Sequence, residues 1–215
     1  MRELGLGPGE LTVLCVGAHP DDIEIGCGAT LLMLAKSRPA RFTHVVLTGS
    51  PERRAEAEHA AGLFDAADLV AHSFPDGRLP AAWGDVKATL EETAAALPPP
   101  DLVFAPRVDD AHQDHRLLGR LVSTTWRDAL VLHYDIPKWD GDFGPATTYV
   151  PVPEDVARLK TAYLHTAFPS QHGRDWWDEE LFLSVLRLRG MECRTRYAEG
   201  FVVAKSVLAL GAEGA

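Results

Sequence analysis

Three observations predict an α/β fold of Rossmann-like type, a mostly parallel sheet with helices on both faces. Short β-branched runs bounded by turn residues alternate with longer segments of helical periodicity through the first half of the chain. Those short runs are continuously apolar, as in strands buried on both faces. Histidines and aspartates follow directly on two of them, at the strand ends where open α/β sheets gather their ligands.

The first strand is Leu11-Thr12-Val13-Leu14-Cys15-Val16, closed by Gly17. Pro20 suits the first turn of a helix, and after a loop the apolar residues from Ile23 to Ala35 recur at helical spacing. A second strand is expected over 41–48, then a helix from Glu52 to Phe64 with Glu56, Ala57, Ala60, Ala61 and Leu63 in phase. A short strand near 68–73 leads to the turn Pro75-Asp76-Gly77-Arg78 and a helix over about 82–97. Pro98-Pro99-Pro100 breaks the chain before a fourth strand, Asp101 to Ala105. Beyond about Leu130 the pattern loosens. Strands are expected near 129–134 and 197–204, with helices near 154–165 and 177–189 between them.

The chain has 215 residues, 46% of them hydrophobic, and no visible linker, so it reads as one domain over 1–215. A formal charge of -10, with basic residues scattered rather than striped, argues against nucleic acid, an anionic membrane surface or a polyanionic substrate. No apolar leader or bilayer-length run is seen, and the expectation is a soluble cytoplasmic protein. Whether it forms a homo-oligomer stays open. Cys15, Cys27 and Cys193 are unpaired in number and spacing, and free thiols are expected.

Gly17-Ala18-His19-Pro20-Asp21-Asp22 sets one imidazole and two carboxylates at the end of the first strand. Pro106-Arg107-Val108-Asp109-Asp110-Ala111-His112-Gln113-Asp114-His115 does the same after the fourth. Either cluster alone is matched by a helix cap favoured by the helix dipole. Together they offer three protein ligands with an open position, the pattern of a catalytic metal site: His19, Asp22 and one of His112 or His115.

The pair Ala18-His19-Pro20-Asp21-Asp22 and His112-Gln113-Asp114-His115 resembles the signature of the PIG-L/LmbE-like deacetylases, zinc-dependent enzymes that remove acyl groups from amino sugars and their conjugates. Arg53 with Glu56, Pro75-Asp76-Gly77 with Leu79, Lys160, His165, Ser170-Gln171 and Ala198-Glu199-Gly200-Phe201 extend the likeness over most of the chain. The resemblance implies an LmbE-like three-layer sandwich, with metal motifs in the N-terminal half and substrate-pocket elements in the C-terminal half. It implies a Zn2+ site of His19, Asp22 and His115, although Fe2+, Co2+ or Mn2+ suits the same donors. Asp21 is then the general base, His112 stabilises the tetrahedral intermediate, and water attacks the amide carbonyl.

Asp114 is a candidate to orient His112 or a ligand, and Asp109 to hold a ligand or fix its loop. Arg53 is the candidate to orient substrate; register alone leaves Arg53 and Arg54 open, and the resemblance, with Arg53 three before Glu56, implies Arg53. The loop Gly49-Ser50-Pro51 is shorter than in many relatives, so sugar contacts made by that loop do not carry over. His165 and Gln171 resemble positions at the mouth of the site. Trp139, Phe143, Tyr149, Trp176 and Trp177 lie in the irregular half; aromatics stack on sugar faces but fill cores more often.

The expected partner is a small N-acetylated sugar or glycoconjugate. An amidase for a larger acyl group is the nearest alternative. A nucleotide-binding module is suggested by Gly26-Cys27-Gly28, yet no G-x-G-x-x-G follows the first strand.

Overall fold

The structure, a computed structural model, describes residues 6–203 and 205–207. Five strands, β1 (Leu11–Gly17), β2 (Ala40–Thr48), β3 (Ala66–Phe74), β4 (Leu102–Pro106) and β5 (Leu130–Tyr134), pair in parallel. They alternate with α1 (Asp22–Ser37), α2 (Pro51–Leu63), α3 (Trp83–Ala96) and α4 (Gln113–Thr125). Then come β6 (Thr148–Val152), α5 (Glu154–Ala167), α6 (Glu179–Cys193) and β7 (Tyr197–Val203). Ala204, placed at a strand end by the sequence, lies outside the described residues.

The seven strands lie in the order β3-β2-β1-β4-β5-β7-β6, with β7 antiparallel to both neighbours. The chain winds outward from β1 through β2 to β3, then crosses back to place β4 on the other side of β1. The carboxyl ends of β1 and β4 therefore flank the point where the winding reverses, and the crevice opens there. This topology unites the two motifs.

Strand alternation builds a core on each face. Val13, Cys15, Phe42, Val46 and Phe104 pack with Ile23, Ile25 and Leu31 of α1 and Leu164 of α5. Leu14, Val16, Val45, Leu47, Val103 and Ala105 pack with Val86 and Leu90 of α3 and Leu118, Leu121 and Val122 of α4. Burial on both faces explains why these strands read as unbroken apolar runs.

Three sequence expectations are revised. Helix α1 begins at Asp22 with no intervening loop. Helix α4 fills a stretch given no element, opening on His112 and passing Gly119, where a Cβ would collide with the backbone of Pro106 and Arg107. Strand β6 contains Pro151, which hides it in the sequence; it is an edge strand, where a missing N–H is tolerated.

Gly26 and Gly28 serve packing. A Cβ on Gly28 would stand 2.6 Å from the ring of Phe64, and one on Gly26 would overlap the ring of Tyr134. Tyr134 is fully buried and its hydroxyl donates to the carbonyl of Val16 at 2.7 Å, so the ring cannot give way. Gly26→Ala is expected to lower stability by about 1–3 kcal/mol, readable as a lower urea midpoint.

Lys160 and Glu199, two of the residues that carry the resemblance, pin α1. Their buried ion pair is 2.6 Å long; Glu199 accepts the N–H groups of Ala29 at 2.9 Å and Thr30 at 2.7 Å, and Lys160 donates to the Ile25 carbonyl at 2.6 Å. Cys15 and Cys27 are buried free thiols, and Cys193 is partly buried. Among the described residues no helix is long and apolar enough to cross a membrane.

Candidate metal centre

Asp22 opens α1, and its Oδ2 accepts the backbone N–H groups of Ala18 at 2.8 Å and His19 at 2.9 Å. That grip folds the strand end back over the helix start and aims His19 inward. Oδ1 is left free, 3.3 Å from Nε2 of His115. Nδ1 of His19 stands 3.0 Å from the same His115 nitrogen and 3.5 Å from Asp22 Oδ2.

Donors held at zinc-ligand distances in a tetrahedron stand about 3.3–3.6 Å from one another. Two imidazole nitrogens facing each other at 3.0 Å cannot both carry protons along that line. A cation shared between their lone pairs and the free oxygen of Asp22 satisfies all three. The donor set of His19, Asp22 and His115 could therefore hold a divalent metal. Two wider groupings also share His19, one with His112 and His115 and the other with Asp76 and Asp114, each with its ligand atoms within 4.8 Å.

The charges agree with that fit. Burial works against the charged forms of both histidines, yet the surrounding carboxylates together outweigh it, Asp22 with Asp114 and Asp76 raising His19 well above its ordinary range and Asp22 with Asp110 raising His115 to about 9. The field that would hold protons is the field that holds a cation. His112 is pushed the other way, first by burial and then by the charges of His115 and His19.

His112 stands over the site, its ring centroid 4.9 Å from that of His19 and 4.6 Å from that of His115. It is the N-cap of α4, and its Nδ1 accepts the N–H of Asp114 at 3.3 Å. Capping and chemistry are not alternatives here. Because Nδ1 accepts, the ring proton of the neutral form lies on Nε2, which is left as a donor.

Asp21 takes the N-cap position of α1 but makes no capping bond. Its Oδ2 instead meets Nη2 of Arg53 at 2.8 Å. Arg53 also donates to Glu56 at 3.1 Å and to the hydroxyl of Ser170 at 3.2 Å, and Glu56 accepts the N–H and hydroxyl of Ser170, both at 2.7 Å. The structure thus brings Arg53 to Asp21, with Glu56 and Ser170 fixing its fork.

The flanking aspartates face different partners, Asp114 toward His19, one of the two partners the sequence offered it, and Asp109 toward Arg107. Asp114 turns toward His19, at 3.5 Å from Nε2, rather than toward the ring of His112, and accepts the N–H groups of Gly77 at 2.7 Å and Leu79 at 3.0 Å. It staples the Pro75-Asp76-Gly77-Arg78 turn to α4, and Asp76 of that turn reaches 3.0 Å from Nε2 of His19. Asp109 points away, its carboxylate paired with Arg107 at 2.7 Å.

Its neighbour Asp110 is the residue that holds a ligand. Oδ2 of Asp110 lies 3.2 Å from Nδ1 of His115, while Oδ1 accepts the N–H of His112 at 2.7 Å and meets the ammonium of Lys138 at 3.0 Å. Of two adjacent aspartates the sequence offers no way to choose; the exposed one meets Arg107 and the buried one His115. Partners of this kind typically contribute 10- to 100-fold in metal affinity. Asp110→Ala is accordingly expected to weaken metal binding by roughly that factor, measured by competition with a chromogenic chelator. His165 and His172 stack on each other at 3.9 Å on the exposed side of α5, and Gln171 is buried, donating to Ser170 at 3.0 Å.

The family model of PIG-L, GlcNAc-PI de-N-acetylase, matches residues 14–126, more than half of the chain and both motifs. The uncharacterized deacetylase YaiS of Escherichia coli is 29% identical over 163 residues, covering 71% of this chain and 88% of that protein. The conserved protein TT1542 of Thermus thermophilus has a similar structure, with a TM-score of 0.74 and 25% identity over 95% of this chain and all of that one. N,N'-diacetylchitobiose deacetylase of Pyrococcus horikoshii shares the fold at a TM-score of 0.67 and 22% identity, over 89% of this chain and 83% of that one. A sheet wound to bring His19, Asp22 and His115 together, and a family match that spans them, lead to one assignment: the chain belongs to the PIG-L deacetylase family.

Proposed function

We propose that the protein is a metal-dependent hydrolase that removes the acetyl group from the amine of an N-acetylated sugar or glycoconjugate. One observation carries this reading: the carboxylate of Asp21, the residue before Asp22, makes no capping bond and is instead held 2.8 Å from Arg53. His19, Asp22 and His115 hold the metal, Zn2+ or another divalent ion of similar preference. When bound, that ion supplies Lewis acidity, bringing water toward ionisation at neutral pH and polarising the amide carbonyl.

The chain's own groups do the rest. Asp21 takes the proton of the attacking water as its oxygen bonds to the carbonyl carbon, and returns it to the amine nitrogen as the carbon–nitrogen bond breaks. His112 turns its Nε2–H toward the oxygen on which negative charge develops. Arg53 keeps the carboxylate of Asp21 aimed and offers its outer edge to the substrate. Asp110 fixes His115, and Asp114 fixes the turn beside His19.

Incubation of the metal-loaded protein with N-acetylated monosaccharides, disaccharides and nucleotide sugars is expected to release amine and acetate in equal amounts. A chelator should stop the release, and added divalent ion should restore it. Bound metal with no amine released from any member of the panel would overturn the reading.

A further inference from the structure

The segment joining β5 to β6 is tied to the loop between β4 and α4, which carries Asp110 and leads to His115. Lys138 lies 3.0 Å from Asp110 and 3.0 Å from Asp142, Asp142 accepts the N–H of Ala111 at 2.6 Å, and Arg107 bridges to Asp135 at 3.0 Å. Between these anchors the chain turns through Trp139, Asp140 and Gly141, the glycine at φ +66. Trp139 is 65% exposed, yet it is not loose. Its indole N–H donates to Asp175 at 3.0 Å, its ring meets Trp176 edge-on at 6.1 Å, and the guanidinium of Arg174 lies 5.9 Å from it.

From Trp139 a run of ring contacts returns to the other side of the site. Trp176 meets Trp177 at 5.5 Å, Trp177 meets Phe168 at 5.8 Å, and Phe168 lies 5.7 Å from the guanidinium of Arg53, which holds Asp21. The arc thus begins beside the general base and ends at Lys138, beside the carboxylate that holds His115. Phe168 and Trp177 are buried and serve as backing; Trp139 alone presents a large open face. An aromatic side chain that buries 150–250 Å² elsewhere gives up that gain when left in water. Fixing its orientation as well points to a face kept ready for a ligand.

We propose that Trp139, backed by Trp176, is the stacking platform for a sugar ring joined to the one that carries the acylated amine. The preferred substrate is then an N-acyl sugar bearing a second ring, not a free monosaccharide; the identity of the first ring rests on the deacetylase reading. A pyranose matches what surrounds the indole. It has an apolar C–H face for stacking and a hydroxyl edge for the carboxylates of Asp140 and Asp175 and the guanidinium of Arg174, all exposed. A hydrocarbon chain would need a longer stretch of open apolar surface, and a phosphate would face these carboxylates.

The test compares N-acetylglucosamine with N,N'-diacetylchitobiose, and adds cellobiose as a two-ring sugar with no amide to cleave. The protein is expected to favour chitobiose over the monosaccharide in kcat/KM, and Trp139→Ala to reduce that preference roughly fivefold through KM, with Trp139→Tyr restoring it. Cellobiose should quench tryptophan fluorescence saturably in the parent protein and lose the Trp139 component of that quench in Trp139→Ala. Deacetylation of both substrates without preference, and quenching unchanged by Trp139→Ala, would overturn the platform while leaving the deacetylase reading intact. Absence of deacetylation with Trp139-dependent quenching would do the reverse. Self-association that covers Trp139 in the parent protein and is lost in Trp139→Ala would also overturn it.

Discussion

Asp21→Asn is expected to bind metal as tightly as the parent protein and to deacetylate its substrate slower by a factor on the order of 10²–10⁴, the usual contribution of a positioned general base. The separation follows from geometry. Asp21, on this reading outside the ligand set, contacts Arg53 at 2.8 Å and makes no capping bond to α1, so its neutralisation should spare the metal and cost the helix only a favourable charge at its N-terminus. The amide of asparagine keeps the shape and an oxygen for Arg53 but cannot take a proton. Metal content by elemental analysis, set beside kcat at saturating substrate, checks the result. Full metal with unchanged kcat would remove Asp21 from the chemistry; loss of metal would place it among the ligands instead.

Asp22, one residue along, is expected to fail in the opposite way. Its Oδ2 already accepts two buried backbone N–H groups, from Ala18 and His19, and its Oδ1, 3.3 Å from His115, is the atom proposed to face the metal. In Asp22→Asn the side-chain oxygen can keep both N–H groups satisfied, which turns the NH2 toward His115. An amide nitrogen is no ligand, so metal affinity should drop by more than the roughly 10- to 100-fold typical of losing an outer partner, while metal-free stability falls through loss of the charge that supports His19 and His115. Asp22→Ala should lose the metal equally and, in addition, leave the two N–H groups unpartnered at about 1–3 kcal/mol each. Chelator competition and thermal unfolding of the metal-free forms distinguish the two effects. Retention of metal by Asp22→Asn would overturn the assignment of the ligand set.

How much was legible in advance can be judged at particular residues. Strands β1, β2 and β4 were readable because burial on both faces leaves an unbroken apolar run, a purely local signal. His19, Asp22, His112 and His115 were readable because each pair follows a strand directly and the turn keeps its members within reach. Strand β6 was not, since Pro151 argues against a strand unless the position is known to be an edge. Nor was the choice of Asp110 over Asp109: the two differ only in which way the loop faces, and that is decided by Lys138 and Asp142 from a distant segment. Ser170 reaches Arg53 across 117 residues of chain and Glu56 across 114, beyond the reach of any local pattern.

The sequence by itself determined the α/β class, the two strand-end motifs and the kinds of donor available for a metal, because these depend on side-chain type and on spacing within a turn. Tertiary structure decided everything that depends on pairs far apart in the chain. The order β2-β1-β4 set His19 against His115 across 96 residues. The packing of α4 fixed the free nitrogen of His112, and the β5–β6 segment chose Asp110 and exposed Trp139. Such contacts arise from packing between elements, whose partners are set only once the sheet has wound and its helices have closed over both faces.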